Sequence, residues 1–123
     1  MFEVKLNLPR NAVFCRTVGK VEPDEAREYV ASYKKALDQL APGFAVISDM
    51  RNTQPAATET RKIMEEMVSY GAERGIGCGV RILSDEMNSQ IGSMQLDRVS
   101  RELGYKVYVV TSYDEAKQVL GWT

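Results

Sequence analysis

The sequence predicts a single α/β domain over residues 1–123, built around a mixed β-sheet. Three observations lead to this class. Short apolar runs alternate with segments of helical periodicity, and proline, glycine and capping residues separate them. No linker, repeat or low-complexity stretch interrupts the pattern. The predicted order is ββαβαβαβα. Helical crossovers make the last three strands parallel, and a hairpin at the start adds an antiparallel element.

The first two strands are predicted to form a hairpin. Residues 2–8 alternate apolar and polar side chains, as a half-buried strand does, and residues 12–21 follow a Pro-Arg-Asn turn. A helix then begins at Pro23, because proline and the two acidic residues after it suit a helix N-terminus. It ends before Pro42. Its tyrosines lie on the apolar stripe, which favours an amphipathic helix packed on the core.

The central stretch of the chain is residues 43–58, GFAVISDMRNTQPAAT. Its apolar start predicts a buried strand over residues 43–49, and a polar loop follows before a helix begins beyond Pro55. Open α/β sheets place their binding sites outside the carboxyl ends of such strands. The polar loop is therefore the predicted site.

A second helix and a third buried strand are predicted next, over residues 56–75 and 76–83. Gly77 and Gly79 lie where a helix leads into a strand, which is the reverse of the order in a dinucleotide-binding fingerprint. They indicate close backbone packing instead. The residues of this helix expected to face inward are Ile63, Met64, Met67, Val68 and Gly71.

A third helix is predicted from the polar residues 84–88 to Leu103, and its apolar residues fall on two faces. One face carries a leucine and valine stripe. Met87, Ile91 and Met94 lie on the other, rotated by roughly a right angle or more at about 100° per residue. Either the helix is buried on two sides, or this second face is exposed and binds a protein partner or a second copy of the chain.

The last elements are a strand over residues 105–110 and a short helix. Ser112 and Glu115 match a capping box, with the serine as N-cap and the glutamate at the third helical position.

Composition excludes several classes of function. Sixteen basic and seventeen acidic residues give a net charge of −1, which argues against nucleic-acid binding. No run approaches the ~18–20 apolar residues of a membrane span, and no signal-peptide pattern is present, so we expect a cytoplasmic protein.

The chain has no histidine, which excludes Ser-His and Cys-His nucleophile pairs and histidine-ligated metals. Cys15 and Cys78 are predicted to be free thiols. We predict no catalytic residue, metal or cofactor.

Polar residues follow each of the three parallel strands, where the strands would end on one rim. Arg51 could hold a carboxylate or phosphate with both arms of its guanidinium. Alternatively, Asp49 pairs with Arg51. In that case Ser84, Asp85 and Ser112 only cap helices. Asp49 and Asp85 as an acid/base pair would need a raised pKa, which a wet rim does not supply. The candidate site residues are Asp49, Arg51, Asn52, Thr53, Ser84 and Asp85.

Two local patterns, AVISDMR and VYVVTSYDEAKQVL, together with the order of elements, resemble the SpoIIAA-like branch of the STAS superfamily. The resemblance covers essentially the whole chain and implies a mixed sheet crossed by helices. Regulatory members carry an Asp-Ser-Ser-Gly-like phosphoacceptor at the start of the helix after the central strand. This chain has no serine there, and Thr58, the hydroxyl close to that place, is the candidate phosphoacceptor; alternatively, it caps the helix. Other members of the group resemble lipid-binding or small-ligand-binding modules.

Two functions fit the resemblance. The first is a non-enzymatic regulatory module that binds a protein partner through the rim and the Met87, Ile91 and Met94 face. The alternative is a carrier of a small molecule or lipid, with an apolar cavity between helix and sheet gated by Arg51. A cavity large enough for a ligand would favour the carrier, and an exposed apolar patch over a packed core would favour the regulatory module.

Overall fold

A computed structural model describes residues 1–86, 102 and 104–122 of the protein. In these residues three helices accompany a five-stranded sheet. The strands are β1 (Phe2–Asn7), β2 (Ala12–Gly19), β3 (Ala45–Thr53), β4 (Cys78–Ile82) and β5 (Lys106–Val110). The helices are α1 (Pro23–Leu37), α2 (Thr58–Glu73) and α3 (Tyr113–Val119).

The strands lie in the sheet in the same order as in the chain. β1 is antiparallel to β2, whereas β2, β3, β4 and β5 are parallel to one another. The predicted single α/β domain with a mixed sheet and an N-terminal hairpin is confirmed. The predicted helix over residues 84–103 is described only at its ends, where Asp85, Glu86 and Glu102 are helical. Met87, Ile91 and Met94 lie outside the described residues.

The hairpin turn is tied to the loop that follows α1. Asn11 adopts a left-handed conformation with φ of 51°, which asparagine tolerates better than most residues. Its side chain donates to the Ala41 carbonyl at 3.0 Å and accepts from the Ala41 amide at 2.9 Å. This two-way bond sets the start of β2 beside the entry to β3.

The two sheet faces bury separate apolar clusters. On one face α1 packs its tyrosine stripe against β2 and β3, as its periodicity predicts; this cluster includes Val13, Cys15, Tyr29, Tyr33, Leu37, Phe44 and Val46. On the other face α3 packs against β4 and β5; this cluster includes Ile47, Val80, Ile82, Val110 and Ala116. Each large apolar side chain contributes about 1.5–3 kcal/mol when fully buried.

The central strand is longer than predicted. β3 continues to Thr53 rather than ending at residue 49, because its last residues pair with β2: Val18 lies opposite Asn52, and Gly19 lies opposite Thr53. A long-range pairing therefore overrides the polar composition of this segment. Residues 50–53, which were predicted to begin a loop, therefore belong to the strand.

Helix α2 begins at Thr58, two residues later than predicted, and one expected inward residue is wrong. Gly71 is buried, but Val68 is 37% exposed. Thr60 is buried in its place. The inward stripe repeats at positions 60, 64, 67 and 71, and position 68 lies at the edge of that stripe at about 100° per residue.

Candidate functional site

The carboxyl ends of the parallel strands lie at one edge of the sheet. Asp49 of β3 is opposite Ile82 of β4, and Ile82 is opposite Val110 of β5. The residues that follow these three positions therefore share that edge. They include Arg51, Asn52, Thr53, Ser84, Asp85, Thr111 and Ser112, which together with Asp49 we call the rim.

Asp49 and Arg51 form a bidentate ion pair. Nε of Arg51 donates to Oδ1 of Asp49 at 3.0 Å and Nη2 donates to Oδ2 at 2.8 Å, while the Arg51 amide also donates to Oδ1 at 3.2 Å. The two side chains meet because residues i and i+2 of a strand point to the same face. Asp49 is only 5% exposed, whereas the Arg51 side chain is 40% exposed.

This pair determines the charge state of the carboxylate. Hydrogen bonds from Arg51 hold the pKa of Asp49 below its ordinary value despite burial, and the same bonds raise the pKa of Arg51. An acid held ionised in this way cannot serve as a general acid near neutral pH. The two arms of Arg51 that bind Asp49 could hold a ligand anion only by displacing it. Of the two interpretations of Asp49 and Arg51, the structure therefore shows the internal ion pair, in which the two side chains bind each other.

The hydroxyl of Thr53 also has an internal partner. It donates to the Thr17 carbonyl at 3.1 Å and bonds the Thr17 hydroxyl as well. Thr17 lies at an irregularity of β2, where the register with β3 shifts between Arg16 and Val18. The contact fastens the end of β3 to this irregularity. Asn52, in contrast, is exposed beside it.

The rim residues after β4 differ in exposure. Ser84 is partly buried, and Asp85, the first helical residue after the strand, is exposed. The structure thus brings both residues to the same edge as Asn52. Their role in binding stays a prediction.

Thr58 is the first residue of α2 and is exposed. Threonine at a helix start usually caps the helix, but here Ala57 occupies the N-cap position and no side chain caps the helix. The Thr58 hydroxyl instead accepts a hydrogen bond from Nη2 of Arg61 at 3.3 Å. An accessible hydroxyl therefore lies at a helix N-terminus beside a guanidinium.

The capping box of α3 is only half formed. Oγ of Ser112 accepts from the Glu115 amide at 3.1 Å, as predicted. The Glu115 carboxylate, however, accepts from the Thr111 hydroxyl at 2.7 Å. Thr111 immediately precedes the N-cap and competes for this carboxylate, a possibility that the sequence alone did not reveal.

A cavity of about 760 Å³ lies between the helices and the sheet, on the face that carries α1 and α2. This volume falls in the range of sites for drug-sized molecules. The described part of its lining is mostly apolar, with Arg61, Glu65 and Arg81 as its charged residues. Arg51, which was expected to gate such a cavity, is not among the described lining residues, because its guanidinium binds Asp49 instead. Apolar lining residues include Tyr33, Val46, Met64, Met67, Ile76 and Val107. Periodicity located these residues in helices and strands but could not show that space remains between them.

Both cysteines are free thiols. Cys15 is buried between β2 and α1, and burial raises its pKa to about 12. Cys78 is partly buried, and burial raises its pKa as well. In the described part of the chain no three cysteine, aspartate or glutamate residues are grouped as metal ligands would be. None of the helices described is both long enough and apolar enough to span a bilayer.

Comparison with solved structures identifies the architecture. An uncharacterised protein of the DUF3478 family from Shewanella loihica PV-4, described as having a SpoIIAA-like fold, superimposes with a TM-score of 0.78 at 9% identity. The match covers 97% of this chain and 93% of that one. This chain has the SpoIIAA-like fold. No family model matches the sequence, and no curated protein does.

SpoIIAA itself has the same SpoIIAA-like fold. The unphosphorylated form of this anti-sigma factor antagonist gives a TM-score of 0.59 at 14% identity and covers 98% of this chain and 99% of that one. The phosphorylated form, from Bacillus, gives 0.54 at 16% identity and covers 97% and 99%. These comparisons confirm the resemblance drawn from AVISDMR and VYVVTSYDEAKQVL at the level of the fold.

Proposed function

We propose that this protein is a non-enzymatic, STAS-like regulatory module that binds a protein partner at the rim and is switched by phosphorylation of Thr58. The observation that carries this is the position of Thr58. Its hydroxyl is exposed at the first residue of α2, where no side chain caps the helix. SpoIIAA is an anti-sigma factor antagonist with a phosphorylated form, and it shares the fold of this chain.

Electrostatics favours a phosphate at this position. A helix N-terminus carries the positive end of the helix dipole and unpaired amide groups, so it stabilises an anion. The Arg61 guanidinium already donates to the Thr58 hydroxyl and would donate to a phosphate oxygen in the same direction. The new charge would change the surface that a partner meets beside Asn52 and Asp85.

The experiment compares Thr58→Val and Thr58→Glu with wild type, each purified from the native host under native conditions. Intact-mass and peptide spectrometry should find phosphate on Thr58 of wild type and none on either variant. Thr58→Glu and Thr58→Val should also retain different amounts of the same partner. Absence of phosphate on Thr58, together with identical partner binding by both variants, would contradict the proposal.

A carrier of a small apolar molecule or lipid is the second candidate, and the cavity of about 760 Å³ favours it. In this function the cavity holds an apolar ligand, and Arg61 and Arg81 at its lining can meet an anionic group. Native and denaturing mass spectra of the same sample should then differ by a released small molecule. Met50→Trp, which fills the cavity from β3, should abolish that difference. A bare protein in wild type would argue against a carrier.

The proposed regulatory module also self-associates. Met87, Ile91 and Met94 were predicted as a partner face, and they lie outside the described residues. The native mass of wild type and of Ile91→Glu tests their role. A dimer that the substitution converts into a monomer is the expected result, and a wild-type monomer would remove the homodimer from consideration. A cytoplasmic location likewise stays a proposal.

A further inference from the structure

We propose that a second pocket, on the sheet face opposite α1 and α2, is a binding site for a small aromatic anion. This aromatic groove lies between the β1–β2 hairpin and α3, is lined by the first residue of that helix and by Trp122 beyond its end, and has a volume of about 610 Å³. Its lining includes Lys5, Phe14, Ile47, Tyr113 and Trp122. The site is separate from the rim function proposed above and does not depend on it.

The groove exists because α3 covers only part of its sheet face. The helix packs on β4 and β5, so the region of the same face over β1 and β2 lies beside it. Lys5 and Phe14 are register partners in the hairpin and therefore point to one side of the sheet. They form the floor of the groove on this side.

The end of α3 forms the opposite wall. Gly121 has a φ of 72°, and its amide donates to the Gln118 carbonyl at 3.1 Å. The Trp122 amide then donates to the Lys117 carbonyl at 2.8 Å. These two bonds are a Schellman motif, which turns the chain back on itself after the helix. The motif therefore fixes the direction in which Trp122 leaves the helix beside the groove.

Aromatic rings dominate the contact surface. Phe14 and Tyr113 meet edge to face, with ring centroids 5.8 Å apart and an angle of 89° between their planes. Trp122 is the third ring of the lining. Aromatic pairs of this geometry are favourable beyond the apolar area that they bury. A planar ligand ring that enters between them gains contacts of the same kind.

The charge of the groove favours an anion. Lys5 is the only charged residue in the described lining, which contains no carboxylate. Its side chain is 67% exposed, and its ion pair with Glu3 is long, at 3.7 Å. One cation beside three aromatic rings matches a ligand with an aromatic body and one carboxylate or sulfonate.

The experiment follows the indole N–H signal of Trp122, the single tryptophan of the chain, in 15N–1H spectra of the full-length protein. The probe is naphthalene-2-sulfonate, and naphthalene-2-methanol is its neutral counterpart. We expect the sulfonate to shift the indole signal saturably and with at least fivefold higher affinity than the alcohol. Lys5→Met should remove that preference. Lys62→Met, which changes an exposed lysine on α2, should leave it intact.

Three results would overturn the proposal: an unmoved indole signal, equal affinity for the two probes, or an unchanged preference in Lys5→Met. Phe14→Ala should also weaken binding of naphthalene-2-sulfonate, but this substitution removes packing next to the core and could unfold the protein. Lys5 is exposed, so its substitution tests the site without that risk. Binding in the larger cavity would move other signals and would be insensitive to Lys5. Thr58 variants should bind the probe as wild type does, which separates this site from the regulatory function.

Discussion

The substitution Gly77→Ala would bring a methyl group against the backbone of the loop before β3. A Cβ atom at position 77 would lie 2.5 Å from the Gly43 carbonyl oxygen and 2.9 Å from its carbonyl carbon. The segments that lead into β3 and β4 approach closely here. The Gly77 amide donates to the Phe44 carbonyl at 2.7 Å, and the Gly43 amide donates to the Gly75 carbonyl at 2.6 Å. Neither neighbour is a side chain that could rotate away.

Gly79→Ala is the matched control, since it makes the same chemical change two residues along the chain. A Cβ atom at position 79 would lie 3.5 Å from Cε2 of Tyr105, an ordinary van der Waals contact. Both substitutions reduce the conformational entropy of the unfolded chain, which on its own stabilises by about 0.4–1 kcal/mol. The difference between the two variants therefore isolates the clash.

Overpacking of a well-packed region costs about 1–3 kcal/mol. We expect the upper part of that range for Gly77→Ala, about 2–3 kcal/mol, because backbone must move. Gly79→Ala should lie within about 1 kcal/mol of wild type. For a chain of this size the clash corresponds to a Tm lowered by roughly 8–12 °C.

Urea unfolding followed by circular dichroism measures both free energies of unfolding, and an unchanged m value would show that a substitution alters stability without altering the surface exposed on unfolding. Equal stability of the two variants would refute the reasoning, because the close approach of Gly43 and Gly77 would then impose no cost. Greater destabilisation by Gly79→Ala would refute it more strongly. Either result would reopen the question of why these glycines flank Cys78.

Three further substitutions or reactions test other parts of the structure. Asp49→Asn should lower the free energy of unfolding by about 1–2 kcal/mol at pH 7, a value reduced from that of a buried charged pair because Arg51 is partly exposed. Because the folded-state pKa of Asp49 is lowered, its contribution is present above the unfolded pKa of about 3.9 and is lost as the pH falls through the folded-state value. Urea titrations of both proteins should therefore converge below about pH 4, and a constant difference would contradict the pairing. Ser112→Ala should cost about 1 kcal/mol in the same assay and Ser112→Gly only a few tenths, since glycine is a tolerated N-cap; unchanged stability in Ser112→Ala would show that the bond from the Glu115 amide to the Ser112 hydroxyl does not stabilise the helix. Ellman's reagent at pH 8 should label Cys78 slowly in the native protein and leave Cys15 unlabelled until denaturant is added, and rapid labelling of Cys15 in the Cys78→Ser variant would contradict its burial and raised pKa.

The features that the sequence predicted well are those specified locally. The helix start at Pro23 and the serine cap at Ser112 depend on residues within one or two turns, and both lie where predicted. Parallel strands joined by helices followed from the alternation of element types alone. The close backbone packing expected at Gly77 and Gly79 is found at Gly77 only, since a Cβ atom at Gly79 would meet the Tyr105 side chain at an ordinary 3.5 Å.

The features that the sequence could not predict depend on distant partners. The extension of β3 to Thr53 requires pairing with Gly19, and composition alone favoured a loop there. Placement of the rim on one edge was inferred, but the bidentate pair of Asp49 and Arg51 could only be raised as one of two alternatives. Neither the cavity nor the aromatic groove has a sequence signature, since each depends on how far a helix stands from the sheet.

The strands lie in the sheet in the order in which they occur in the chain, and this has a consequence for folding during synthesis. Each strand pairs with the strand that precedes it in sequence, as the register partners Val13 with Val46 and Ile47 with Val80 illustrate. No later strand has to insert between two earlier ones. Each new strand can therefore pair with an existing edge of the sheet after one short loop closure. A ribosome delivers the strands in the sequence in which the sheet accepts them. For this chain, the order of synthesis is also the order of the strands across the sheet.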